Sequence, residues 1–411
     1  MHGQAAPATQ DSAPLGFKEF VALIACLMAL TALGIDSMLP ALPAIGAALD
    51  VAEENRRQFI ITAFLIGFGV AQLAWGPLAD RFGRKPVLTG AMVAYVLANL
   101  LATISGSFVL LLGARVLGGA AVAAARVVTV ALVRDCYSGR AMARVMSLAF
   151  IVFMAAPVLA PMVGLALLQV GSWRLIFGFI AAASAAVLVW FVWRMPETLA
   201  VARRQPLSPE RLLAGYRLTI TDRWSLGYTV AAMLLLGGLY GFINSVQQIM
   251  FDVFHRPDLL IPFFACVGGA MACVNLLNSR LVMRLGTRMI SHAALLGLIA
   301  VAALHLAIAW SGVENLWSFV VLQALMMGCF GLANSNFSAM AMENMGGIAG
   351  TASSVQGFAT VTVGALIGAV IGQSFDGSTV PLYLGFTSVG VLALVVVLIA
   401  ERGRLFHGHQ A

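Results

Sequence analysis

Lysine is almost absent from this chain: Lys18 and Lys85 are the two among its 411 residues. A P-loop needs a lysine directly after its glycine-rich run, and neither residue stands in that position, so an ATP site of that kind is excluded. H-E-x-x-H and G-x-S-x-G are missing too, so metalloprotease and serine-hydrolase chemistry have no carrier and an enzyme is not expected. Charge of either sign is scarce, at 10% of residues against roughly 25% in a soluble domain. The 24 Lys+Arg exceed the 17 Asp+Glu, but no basic run is interleaved with aromatics, so no nucleic-acid partner is expected. The five cysteines contain no C-x-x-C pair, and nothing supports disulfides, thiolate metal sites or a bound cofactor.

What is present is apolar. Residues of the AVILMFWYC set make up 61% of the chain, and mean hydropathy is +0.95. A water-soluble fold of this composition would expose large sticky patches, so the chain reads as an all-α integral membrane protein. Crossing a bilayer takes about 20 apolar residues, which predicts twelve spans at 18–41, 57–79, 86–105, 108–133, 143–170, 173–194, 224–252, 259–282, 288–311, 315–341, 348–374 and 379–400. Residues 1–17 read as a disordered tail. The apolar run after Lys18 is too long for a signal peptide and reads as an uncleaved first span. The long polar segment 195–223 carries Pro196, Pro206, Pro209 and the arginines 203, 204, 211, 217 and 223. It divides the spans into six-helix halves, 18–194 and 224–400, followed by a short tail at 401–411. With both termini and this linker cytoplasmic, the outer loops hold only Arg56, Arg57, Arg174 and Arg256, and Arg115 and Arg126 fall within a span. The other eighteen of the 24 are inside, counting Arg280 at the inner end of its span, in accord with the positive-inside rule.

The halves repeat one another. Gly76-Pro-Leu-Ala-Asp80-Arg81-Phe-Gly83-Arg84-Lys85 follows the second span, and Ser279-Arg-Leu-Val-Met283-Arg284-Leu-Gly286-Thr287-Arg288 follows the eighth. Arg81/Arg284, Gly83/Gly286 and Lys85/Arg288 match at one offset. Parallel repeats of this sort are one of the known transporter designs, with the substrate site between the halves near the midplane. Without an ATP site, such a transporter draws on an ion gradient.

Ionisable residues inside spans cost about 2.5–3.5 kcal/mol each on insertion scales and so mark candidate sites. Asp36 is the one carboxylate well inside a span. It must pair with a cation or take up a proton, which suits a proton carrier; the competing reading is a helix-end residue facing water. Arg115 lies at similar depth and reads as the cation that tunes Asp36, or as a purely structural partner. Arg126 follows Arg115 by three turns on the same face, either at the mouth of a central cavity or snorkelling to the headgroups. Tyr240, Asn244 and Gln247 share one face of the seventh span and are open to two readings, a substrate cavity or interhelical glue. His292 and His305 have no acidic partner that the sequence identifies, and they read as packed or interfacial. In the 76–88 loop, Gly76 and Gly83 permit a tight turn, and Asp80 beside Arg81 and Arg84 offers a breakable gating network.

That loop resembles motif A of the major facilitator superfamily, complete in the first half and degraded in the second. Ile35-Asp36-Ser-Met-Leu-Pro40-Ala-Leu-Pro43, Arg134-Asp135-Cys-Tyr137, Ala156-Pro157-Val-Leu-Ala-Pro161-Met-Val-Gly164 and Ala349-Gly350-Thr-Ala-Ser-Ser354 are similar to the bicyclomycin-resistance/chloramphenicol-efflux (Bcr/CflA) group. The resemblance covers about residues 17–400. It implies the twelve-helix major facilitator fold, alternating access and drug/proton antiport of small amphipathic compounds in the bacterial inner membrane. No cofactor beyond the proton gradient is implied, and a monomer is expected. By the same resemblance Arg115 matches the motif B arginine, Asp36 the first-span acidic residue, and Pro157, Pro161 and Gly164 the fifth-span antiporter motif. The alternatives are a proton-coupled transporter of an anionic or zwitterionic metabolite, which Arg126 would favour, and a non-transporting sensor or scaffold.

Overall fold

A computed structural model describes residues 14–137, 139–204 and 208–406. Residues 1–13 and 407–411 of the expected tails lie outside the described residues, as does the side chain of Pro157. Among the described residues every regular element is helical. The first half holds α1 (Phe17–Asp36), α2 (Leu42–Ala48), α3 (Phe59–Phe82), α4 (Arg84–Thr103), α5 (Phe108–Cys136), α6 (Gly139–Val170) and α7 (Arg174–Arg194). A linker helix, α8 (Pro209–Thr221), leads to α9 (Arg223–Gln248), α10 (Leu260–Leu285), α11 (Thr287–Trp310), α12 (Leu316–Ala341), α13 (Ala349–Phe358), α14 (Gly364–Gln373) and α15 (Val380–Ala400). Eleven segments are long and apolar enough to cross a membrane among the described residues. The remaining long helix, α6, has 32 residues, about 48 Å of rise, which also exceeds a hydrocarbon core.

Local chemistry explains the departures from uniform spans. The first span is broken: α1 stops at Asp36, and a 3-10 turn at Leu39–Ala41 leads into α2. Pro40 and Pro43 each stand at the start of a new helical segment, where a missing N–H costs nothing but cannot continue the helix before it. The eleventh span is likewise composite, with a π-helical turn at Ala359–Val363 between α13 and α14. The polar linker is not extended throughout. Residues 212, 215, 216 and 219 of α8 turn inward, with Thr219 2% exposed, while Leu213 and Ile220 face outward; this is the i, i+3, i+4, i+7 pattern of an amphipathic helix.

Both halves use the same pairings. α1 packs on α6 as α9 packs on α14, α3 on α5 as α10 on α12, α4 on α5 as α11 on α12, and α4 on α7 as α11 on α15. The matched turns also share their geometry, since Gly83 has φ 105° and Gly286 φ 80°, a region that L side chains rarely enter. The halves meet along α3 against α13 and α14, and along α6 against α10. The linker emerges on one face of the bundle, here the linker face; the loops at 37–58, 249–259 and 374–379 lie on the opposite, far face.

Candidate functional site

The broken first span positions Asp36. It is the last residue of α1 and is 5% exposed. Among the described residues it has neither an ion pair nor a hydrogen bond. α6 packs directly beside it: a side chain at Gly164 would run into the Ser37 carbonyl, and Pro161 is buried on the same helix.

Arg115 does not pair with Asp36. Its guanidinium donates to the carbonyls of Gly34 (2.7 Å) and Ile60 (3.3 Å) and lies over the Phe64 ring at 4.3 Å. Gly34 belongs to the last turn of α1, whose carbonyls lack intrahelical donors, so Arg115 satisfies backbone that the break exposes. Depth agrees with the sequence reading, but the expected cation–carboxylate contact is absent from this conformation.

A cavity of about 1540 Å³ separates the halves on the linker side, with Gln72, Arg126, Arg134, Tyr216, Ser338 and Thr360 on its wall. Arg126 is exposed to it and has no ion-pair partner among the described residues. Tyr240, Asn244 and Gln247 are not on that wall; they lie deeper, at 9%, 1% and 3% exposure. Tyr240, from the second half, is within electrostatic reach of both Asp36 and Arg126 of the first. Asn244 is buried with neither side-chain polar atom hydrogen-bonded.

The far face is shut by amides. Gln58 Nε2 donates to Gln248 Oε1 (2.5 Å) and to the Gly372 carbonyl (3.1 Å). Gln248 Nε2 donates to Asn55 Oδ1 (2.8 Å). Asn55 Nδ2 donates to the carbonyls of Gln373 (3.1 Å) and Phe375 (2.9 Å), and Gln373 Nε2 returns a bond to the Asn55 carbonyl (2.6 Å). All six bonds join one half to the other. Sequence reading missed Asn55, Gln58 and Gln373; the available signal was three amides at the far ends of the second and eleventh spans.

The 76–88 loop, expected to gate, differs from expectation. Arg84 bridges Asp80 (2.6 Å) and Asp135 (3.2 Å). Glu197 accepts from the backbone N–H groups of Arg84 (3.0 Å) and Lys85 (3.2 Å), an acid at a helix N-terminus where it is favoured. Among the described residues this network ties α3, α4, α5 and the start of the linker within the first half and does not cross to the second. Arg81 is exposed outside it, and it is Gly76 that faces the other half, against Ser354. The second half carries a counterpart, in which Arg288 bridges Glu401 (3.0 Å) and Glu343 (3.2 Å) and Tyr228 donates to Glu401 (2.5 Å). Burial opposes the charged form of Glu401, but the hydrogen bonds from Tyr228 and Arg288 outweigh it and hold its carboxyl below the usual range. The histidines have partners after all: His292 meets the Tyr228 hydroxyl at 3.2 Å, and His305 pairs with Glu314 at 2.7 Å.

Two repeated halves thus enclose a cavity on one side and meet in a seal on the other. The sequence matches the Major Facilitator Superfamily over residues 24–369. The chain belongs to that superfamily. Among curated proteins this facilitator is 31% identical over 394 residues to the bicyclomycin resistance protein homolog of Haemophilus influenzae, covering 92% of this chain and 94% of that one. It is 28% identical to multidrug resistance protein D of Escherichia coli K12, over 95% of this chain and 98% of that one. Among solved structures, the partially occluded inward-open xylose transporter XylE of E. coli superposes with a TM-score of 0.73 at 13% identity, over 96% and 99% of the two chains. The facilitator is thus a multi-pass membrane transporter of the superfamily fold.

Proposed function

We propose that this facilitator is a drug/proton antiporter that exports small amphipathic compounds across the bacterial inner membrane by alternating access, with both termini and the linker cytoplasmic. The observation that carries the reading is Asp36: a carboxyl buried without a partner among the described residues, at the helix break and within electrostatic range of Tyr240 from the other half. An isolated carboxylate is far more costly away from water than its protonated form. The residue can therefore hold a proton while the site is closed and release it when substrate or solvent enters. The inter-half cavity supports substrate entry from the linker side, and the amide seal supports a cycle in which the far side opens only after the linker side closes. The similarity to bicyclomycin and multidrug resistance proteins supports an exported drug as cargo. One observation favours a second reading, transport of an anionic or zwitterionic metabolite: Arg126 presents to the cavity a guanidinium with no ion pair among the described residues.

The test is a drug-susceptibility panel in a pump-deficient host, with and without a protonophore. Export reading and proton coupling together require resistance that the protonophore removes. Asp36→Asn should reduce gradient-driven efflux to background while retaining substrate binding, because proton and substrate binding are linked through this residue. Full pH-driven efflux by that variant takes Asp36 out of the mechanism.

A further inference from the structure

The linker helix does more than tether the halves. α8 packs against α13 of the second half, close enough that a side chain at Gly215 would run into Thr351. The next residue, Tyr216, lies on the cavity wall and reaches the first half. Its hydroxyl lies 3.4 Å from the backbone carbonyl of Leu73 in α3, in hydrogen-bonding geometry. That acceptor is not arbitrary. Pro77 stands inside α3, four residues after Leu73, and has no N–H to give the carbonyl one turn back. A helical carbonyl deprived of its donor is free to accept from another group, and at this half-buried position Tyr216 supplies one from a different part of the chain. The phenol therefore joins the second half, through Gly215 and α13, to a gap that proline opens in the first.

We infer that Tyr216 is a positioning residue for the transport cycle: by occupying the Leu73 carbonyl that Pro77 leaves free, it latches the linker helix across the seam between the halves and favours the conformation open on the linker side. This inference rests on the alternating-access part of the reading above. A bond already at 3.4 Å is broken by about 1 Å of relative movement, so rotation of one half against the other cannot preserve it. A contact made in one state and absent in the other shifts the balance between them, whereas a contact made in both shifts nothing.

The test uses the full chain in detergent with its native cysteines replaced and one reporter, Asn244→Cys. Asn244 is 1% exposed beside the far-face seal, so the rate at which a hydrophilic maleimide reaches it follows the minor population with the far side open. Tyr216→Phe removes a single oxygen and leaves the packing surface in place. It should speed labelling by about two- to tenfold, the equilibrium equivalent of one neutral hydrogen bond. Pro77→Ala is the decisive partner, because it returns an N–H to the Leu73 carbonyl and alanine is an excellent helix former. In the Pro77→Ala background the helical N–H competes for the Leu73 carbonyl and weakens the Tyr216 bond, so labelling should already be faster and adding Tyr216→Phe should change it less than it does in the native background. Unchanged labelling in Tyr216→Phe, or strictly additive effects of the two substitutions, overturns the latch. The readout needs neither a drug nor a gradient, so its failure is distinguishable from failure of the antiport reading.

Discussion

Arg126 and Asp36 bring opposite charges to the space between the halves, and the fold treats them in opposite ways. Asp36 is buried without a counter-ion among the described residues, while Arg126 stands in the open cavity. A permanent cation on a water-filled wall acts on any charged substrate that enters from the linker side. Arg126→Ser should raise efflux of cationic compounds relative to anionic ones by about fivefold, the scale of one exposed charge pair. The measurement is the ratio of resistance to matched cationic, neutral and anionic drugs. An unchanged spectrum would mean that the guanidinium only anchors α5. Arg115 carries a different lesson: its intramembrane position is legible from sequence, but its partners are backbone carbonyls at a helix end, and a carbonyl is invisible in a pattern of side chains.

At the scale of elements, what could be read from sequence follows from how locally the information is written. Span positions follow from runs of apolar residues, the break after Asp36 from Pro40 and Pro43, and the matched turns from Gly83 and Gly286. α8 was less legible, because Pro206, Pro209 and the arginines obscure its amphipathic period. The far-face seal was not legible at all: Gln58 meets Gln248 190 residues on, and Asn55 meets Gln373 318 residues on. That seal has a direct mechanical test. Asn55→Cys combined with Gln373→Cys should form a bridge on oxidation, hold the far side shut and abolish transport, and reduction should restore it. Transport at the uncrosslinked rate in fully bridged protein would remove the seal from the cycle.

For the whole molecule, the repeated pairings make each half a packed unit whose faces are fixed by the topology. The arginine distribution predicts that the linker face is cytoplasmic. A membrane-impermeant thiol reagent applied to intact cells should label Asp376→Cys from outside and should reach Glu210→Cys only after lysis. The reverse pattern would invert the molecule and with it the direction of transport. The composition of the far-face seal has one more consequence under that topology. Its six bonds are all made by neutral amides and backbone groups, so mobile ions have no charges there to screen. An ion-paired gate of exposed residues would weaken as ionic strength rises. A cell moving from fresh water to brine would leave the closure of this one essentially unaltered.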